Sequence, residues 1–296
     1  MMTQCAVPNK LITEGHLMSL FLNCKKMKKI LLIFTTLLSI TTCAQNNLNY
    51  KLIVKYNYQK QVDSTDEKSK ISLENYSLYL NEDNSLFVSD NRIRLDTILN
   101  SANFGDLDKL RSLPKPSSNK RIFKNTSSKN IIIYDEFYDK IYRYNDSVNM
   151  QWKITNIYDT LNDMKIRKAE TKFRGRNYIA WYTSEIPISD GPYKFKGLPG
   201  LVIKLYDSRK EINYTLIGLE KIRKSKTLNI NYENEALPVA KRKYIEIKKS
   251  FKQNPIPYME SQGAVFSEET KRIIRERFRK RNEKTNNPIE LKEEDE

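Results

Sequence analysis

Tyr50-Lys51-Leu52-Ile53-Val54-Lys55-Tyr56-Asn57-Tyr58 sets Tyr50, Leu52, Val54, Tyr56 and Tyr58 at every second position. A period of two places those five side chains on one face of an extended chain, which is the pattern of a half-buried β-strand. The same signal recurs outward from this stretch. Ile71 to Leu80 reads as a strand, Asn81-Glu82-Asp83-Asn84 as a turn cluster, and Ser85 to Ser89 as the returning arm of a hairpin. Further short runs follow at Asn130–Tyr134, Lys140–Tyr144, Met150–Ile157, Met164–Phe173, Asn177–Thr183, Leu201–Tyr206 and Ile212–Leu219. Arg174-Gly175-Arg176 is a tight connection between two of them. Many short strands separated by turn signals describe an antiparallel meander. The 18 tyrosines fit it, because Tyr favours strands.

Between these runs, Gln59 to Ser69 and the basic stretch Ser117 to Ser128 read as polar loops. Ser101 to Leu113 reads as a short helix stopped by Pro114 and Pro116. The last quarter changes character. Val239 to Phe251 has helical spacing and is broken by Pro255 and Pro257. Ser267 caps a second helix with Glu268 and Glu269 in its first turn, a thin apolar stripe of Ile273, Ile274 and Phe278, and basic residues from Lys271 to Lys284 elsewhere. The expected architecture is mainly β (α+β): a curved antiparallel sheet of short strands with α-helices near the C-terminus.

The N-terminus carries an address. Met27-Lys28-Lys29 is a short positive region, Ile30 to Ile40 a short apolar core, and Thr41-Thr42-Cys43-Ala44-Gln45 a cleavage region: a secretory signal peptide. Cleavage after Ala44 suits ordinary signal peptidase. Ile40-Thr41-Thr42-Cys43 also resembles a lipoprotein box, in which Cys43 would carry acyl chains and anchor the product to a membrane. Residues 1–26 read as an upstream extension, with translation starting at Met18 or Met27. The expected organisation is therefore 27–44 as leader, 45–220 as a β-rich domain, 221–285 as a basic helical region and 286–296 as an acidic, disordered tail.

All three cysteines (Cys5, Cys24, Cys43) and the single histidine (His16) precede the cut after Ala44. The exported chain then has no thiol and no imidazole. Ser-His-Asp catalysis, histidine metal ligation and thiolate chemistry are excluded with them. Paired carboxylates, Ser-Lys or Tyr nucleophiles and all-oxygen cation sites survive, but no motif calls for a metal or cofactor and none is expected. The net charge of +16 bears on partners. Export argues against nucleic acid; anionic lipid or lipopolysaccharide phosphate fits better, attracted by a charge that salt screens. A solvated helix, partly neutralised by the acidic tail, is the plainer reading of the same residues.

The most distinctive segment is Gly175 to Asp207. In a chain with only 8 Gly and 10 Pro, it holds Gly191-Pro192, Gly197, Pro199-Gly200 and Pro187. Leu198-Pro199-Gly200-Leu201 has the residues of a type II turn. The run Gly197-Leu198-Pro199-Gly200-Leu201-Val202, together with Gly175-Arg176, Trp181, Ile186-Pro187 and Gly191-Pro192, resembles the GLPGLI family, exported proteins found chiefly in Bacteroidota. The resemblance spans Asn49 to Glu220. It implies an exported envelope protein of unknown function, encoded beside outer-membrane transport components, and it supplies no catalytic residue.

Three uses of this segment stand beside a structural one. Tyr193, Lys194, Phe195, Lys196, Gly197, Leu198, Pro199 and Gly200 could form a rigid docking loop for an outer-membrane protein or lipid. Arg174 and Arg176 could hold an anion through their guanidinium forks. Glu185, Asp190 and Asp207 could converge as the carboxylates of a hydrolase acting on envelope glycan or peptide. The expectation is a non-catalytic binding or accessory protein for an outer-membrane component or an apolar ligand, with the hydrolase and a structural surface lipoprotein as alternatives.

Overall fold

A computed structural model describes residues 47–100, 111–125, 128–229 and 235–292. The leader, its cleavage site and Cys43 lie outside the described residues, as do residues 101–110 of the expected helix. In chain order the elements are β1 (Asn47–Gln61), β2 (Ile71–Leu80), β3 (Asn84–Ser89), α1 (Asp90–Asn100), β4 (Lys120–Asn125), β5 (Asn130–Phe137), β6 (Lys140–Ser147), β7 (Lys153–Leu161), β8 (Met164–Phe173), β9 (Arg176–Thr183), β10 (Leu201–Asp207), β11 (Ile212–Asn229), β12 (Leu237–Pro238), α2 (Lys241–Gln253), α3 (Ile256–Ser261) and α4 (Glu268–Glu283). The protein is mainly β, with its longer helices at the C-terminal end.

One 12-stranded sheet runs β12-β6-β5-β4-β3-β2-β1-β11-β10-β9-β8-β7. It is two meanders laid back to back. β1 to β6 step away in one direction, β7 to β11 step inward from the other edge, and the two meet where β1 pairs antiparallel with β11. The two-residue β12 joins β6 in parallel, so the sheet is mixed rather than wholly antiparallel. β11 continues through residue 220 to Asn229, so the β-rich part of the chain extends past the expected boundary.

The alternation in β1 does what its spacing requires. Val54, Tyr56 and Tyr58 are buried on one face. Tyr58 lies opposite Tyr214 of β11 and stacks on it at 4.5 Å, and edge contacts carry the aromatic layer on to Tyr76 and Phe87. Such pairs contribute about 0.5–1.5 kcal/mol each beyond the area they bury. On the other face, α1 covers a smaller cluster of Leu86, Val88 and Tyr134 through Ile93. Ser89 starts that helix by accepting the Arg92 amide at 3.2 Å.

The stretch expected as a basic loop is in part a strand. β4 pairs with β3 and β5 in the middle of its meander. Its alternation is masked because Arg121 and Lys124 occupy buried positions, 1% and 2% exposed, where apolar residues normally signal a strand. Pro255 and Pro257 also act differently from the expectation. They end α2 but open α3, since proline's fixed φ and missing N–H suit the first turn of a helix. The expected cap of the last helix is present: Ser267 accepts the Thr270 amide at 3.2 Å. α4 is held to α2 by Phe278 against Phe251, ring centroids 5.5 Å apart, and by Asn282 donating to the Lys252 carbonyl.

Candidate functional site

The segment between β9 and β10 is a folded structure that packs inward. Pro199 is the centre of a three-residue turn in which the Gly200 amide donates to the Leu198 carbonyl at 2.8 Å. This is an inverse γ-turn, which proline's φ favours, in place of the expected type II turn. Pro187 centres another, Ile188 to Ile186 at 2.8 Å, and the Ile186 carbonyl also accepts the Leu201 amide at 3.1 Å. Gly200 has φ +153, and a Cβ there would stand 2.0 Å from the Thr183 carbonyl oxygen. No other residue fits that position without moving β9.

Of the expected docking residues, Tyr193, Lys194, Phe195, Leu198 and Gly200 are buried, Lys196 is half-buried, and Gly197 and Pro199 face solvent. Phe195 packs between Tyr178 at 4.7 Å and Phe173 at 5.1 Å. Lys196 ties the loop to the β4–β5 connection by donating to the carbonyls of Asn125 and Ser128 at 2.5 and 2.6 Å, and Trp152 donates to the Lys196 carbonyl at 2.9 Å. The loop's exposed tip is therefore Gly197 and Pro199, on a rigid base.

Glu185, Asp190 and Asp207 are held by three separate sets of partners. Glu185 is exposed and accepts the Lys165 amide at 2.9 Å. Asp190 is buried; it pairs with the Lys124 ammonium and accepts from Ser85 and from the Gly191 amide. Asp207 pairs with Arg176 at 3.0 Å and accepts the Ile212 amide at 2.8 Å.

Arg174 and Arg176 are both paired with carboxylates of the chain itself. Arg174 lies in the two-residue turn between β8 and β9, where it and Gly175 both have positive φ, as a type I′ hairpin requires. Its guanidinium forks over Asp146 at 2.8 and 2.9 Å and reaches Glu290 at 2.6 Å. Lys194 joins the same carboxylates at 2.6 Å and 2.5 Å, Lys241 adds a bond to Asp146 at 2.9 Å, and Tyr193 donates to Glu290. Burial alone would raise both carboxyls. The surrounding Arg174 and Lys194 outweigh it: Asp146 lies well below the ordinary carboxylate range, and Glu290, which Lys120 also draws down, falls to about 2. Neither can lend a proton at neutral pH, so neither suits a general acid.

Glu290 belongs to the segment expected as a disordered tail. As far as Lys292 that segment is strapped across the sheet. Asn287 accepts from Arg176 and donates to the Gln61 carbonyl at 2.9 Å, the Ile289 carbonyl accepts from Tyr178 at 2.7 Å, and the Leu291 amide donates to the Arg174 carbonyl at 2.9 Å. Nothing local in the sequence signals this, because the sheet and loop partners of the strap lie 96 or more residues away.

The strap, α2 and the sheet face of β1, β2 and β6 enclose a cleft of about 780 Å³. Tyr58, Tyr76, Tyr144, Tyr193 and Tyr244 line it. Tyr144 and Tyr244 stack at 4.7 Å, and Tyr244 donates to Asp135 at 2.6 Å. Lys60, Lys120, Lys194, Lys241, Lys248, Lys249, Lys252, Arg281 and Lys292 bring positive charge to the lining, against the single carboxylate of Glu290. Among the described residues, no three or more His, Cys, Asp or Glu side chains gather as a metal site. No described helix is long and apolar enough to cross a membrane.

The sequence model of a family described as "Protein of unknown function (Porph_ging)" matches residues 121–204, which run from β4 through the Gly197–Val202 signature to β10. No curated protein matches the chain. Among solved structures, PNGF-II in space group P21 is similar with a TM-score of 0.49 at 14% identity over 67% of this chain, and PNGF-II in space group C2 with 0.45 at 15% over 64%. The chain spans about a third of those structures, 32% and 31% of their lengths.

Proposed function

We propose that this chain is an exported envelope protein of the GLPGLI type that binds a ligand rather than transforming one, and that the ligand enters the cleft between the sheet, α2 and the strap. The observation that carries this reading is the cleft itself. It is large, lined by five tyrosines, and closed on one side by elements that follow the sheet in sequence. Pockets of about 300–1,000 Å³ lined by aromatics with a few polar groups are the usual form of small-ligand sites. The expected sheet curvature would deepen the same face. The carboxylates that a hydrolase would need are engaged with separate partners, which favours binding over cleavage. The solvent-facing tip at Gly197 and Pro199 is the part of the signature loop that an outer-membrane partner could touch.

The test is thermal unfolding of the purified protein with and without an extract of envelope lipids and glycans. A ligand that binds only the folded state stabilises it in proportion to RT ln(1 + [L]/Kd). The expected result is a rise in Tm with the native protein and none with Ile245→Trp, which fills the cleft. Equal behaviour of the two proteins would exclude the cleft as the binding site.

A further inference from the structure

The positive charge of the cleft is unevenly neutralised. Lys194 and Lys241 are spent on Asp146 and Glu290, and Lys248 on Asp135 at 3.2 Å. Lys60, Lys120, Lys249, Lys252 and Arg281 also line the cleft, and among the described residues none of them has a carboxylate within ion-pair distance. Lys60 and Lys120 are half-buried, so water screens them less than ordinary surface lysines. Lys120 sits over the Tyr193 ring at 5.8 Å; burial would lower its pKa, but Tyr144, Asp135, Glu290 and Asp146 outweigh burial and hold it raised, so Lys120 stays charged. Burial, and then the repulsion of Arg176 and Lys252, lowers the Lys60 pKa; burial also lowers that of Lys248, with Lys120 and Lys252 adding to it against Asp135. A half-buried cation such as Lys60, repelled by Arg176 and Lys252 and without a counter-ion, costs stability unless something supplies the charge.

We infer, resting on the cleft being the binding site, that its ligand carries phosphate: a phosphomonoester or diphosphate on a sugar or lipid headgroup, seated between Lys60, Lys120 and Lys252 with its uncharged part against Tyr76 and Tyr144. A phosphomonoester carries about 1.5–2 negative charges at neutral pH and three acceptor oxygens. One such group can meet several ammonium donors converging from β1, β4 and α2, whereas a single carboxylate would leave most of them unmatched. Tyr76, stacked on Phe87, and Tyr144, stacked on Tyr244, are nearly buried and give the cleft a packed aromatic floor, which suits a sugar ring or the upper part of an acyl chain. Arg281 brings the basic helix α4 to the rim of the same site.

Calorimetric titration with inorganic pyrophosphate tests the charge requirement, and flotation with phosphatidylcholine vesicles, with and without phosphatidic acid, tests whether the phosphate can arrive on a membrane. Binding of pyrophosphate is expected to weaken at least tenfold in Lys60→Ala/Lys120→Ala and to fall as salt rises. The exposed pair Lys249→Ala/Lys252→Ala, which disturbs nothing buried, should weaken it several-fold if the double variant fails to fold. Flotation only with phosphatidic acid places the phosphate on a lipid; pyrophosphate binding without flotation places it on a soluble ligand. If folded native protein binds neither probe, or binds both unchanged in the lysine variants, the phosphate assignment is overturned. In that event, an envelope extract that still raises Tm leaves the cleft as a site for some other ligand, and an extract without effect removes both.

Discussion

Asp190 has two tasks at once. Its backbone carbonyl accepts the Val202 amide at 3.0 Å, and its buried carboxylate neutralises the buried Lys124. Removing one partner of such a pair strands the other charge, at about 3–5 kcal/mol. Asp190→Ala should lower stability by that amount in urea unfolding, and Asp190→Ala/Lys124→Met should recover part of it. Gly200 is constrained by geometry instead of charge: Gly200→Ala must push its Cβ away from the Thr183 carbonyl, and a loss of about 3 kcal/mol or more is expected from the clash and the strained φ together. Glu290 gives a pH dependence. Its carboxyl is held at about 2, below the ordinary 4.5, so its contribution is complete above about pH 4.5 and is lost as pH falls towards 2. Hydrogen exchange in residues 286–292 should rise over that window in the native protein, and Glu290→Gln should show the raised exchange already at neutral pH.

At the level of elements, the strands with apolar alternation were legible and those carrying charge inward were not. β1, β2 and β8 follow directly from their spacing. β4 is hidden because Arg121 and Lys124 stand at buried positions, and both are satisfied by residues remote in sequence, Asp96 of α1 at 2.6 Å and Asp190. The strap is hidden for the same reason: Glu290 reads as part of an acidic run until Arg174, Lys194 and Tyr193 are brought to it. The signature loop was legible as rigid, but its aromatic residues point to the core. Sequence cannot separate a docking anchor from a core anchor when both are aromatics among prolines. α4 has no buried residue and depends on Phe251, whose ring meets Phe137, Tyr258 and Phe278 at 4.9, 5.5 and 5.5 Å. Phe251→Ala should therefore raise hydrogen exchange across α3 and α4 at a cost of about 2–3 kcal/mol, while exchange in β1 and β11 stays unchanged.

On the scale of the molecule, the two meanders meet at β1 and β11, and the chain after the sheet returns over the face that those strands help to form. α2, α4 and the strap convert a sheet face into a cleft, and their lysines give it its sign. This return explains why the basic C-terminal region, which looks like a separate module in the sequence, shares a site with Tyr58 and Tyr76 near the start of the fold. Under the proposed function the ligand is held in this cleft and not at the Gly197–Pro199 tip. The most direct measurement is photocrosslinking in the native cell with p-benzoylphenylalanine placed at Ile245 in one strain and at Pro199 in another. Binding in the cleft predicts a discrete adduct of the folded, exported protein from position 245 that is lost with Lys60→Ala/Lys120→Ala. An adduct from position 199 alone would contradict it and return binding to the loop.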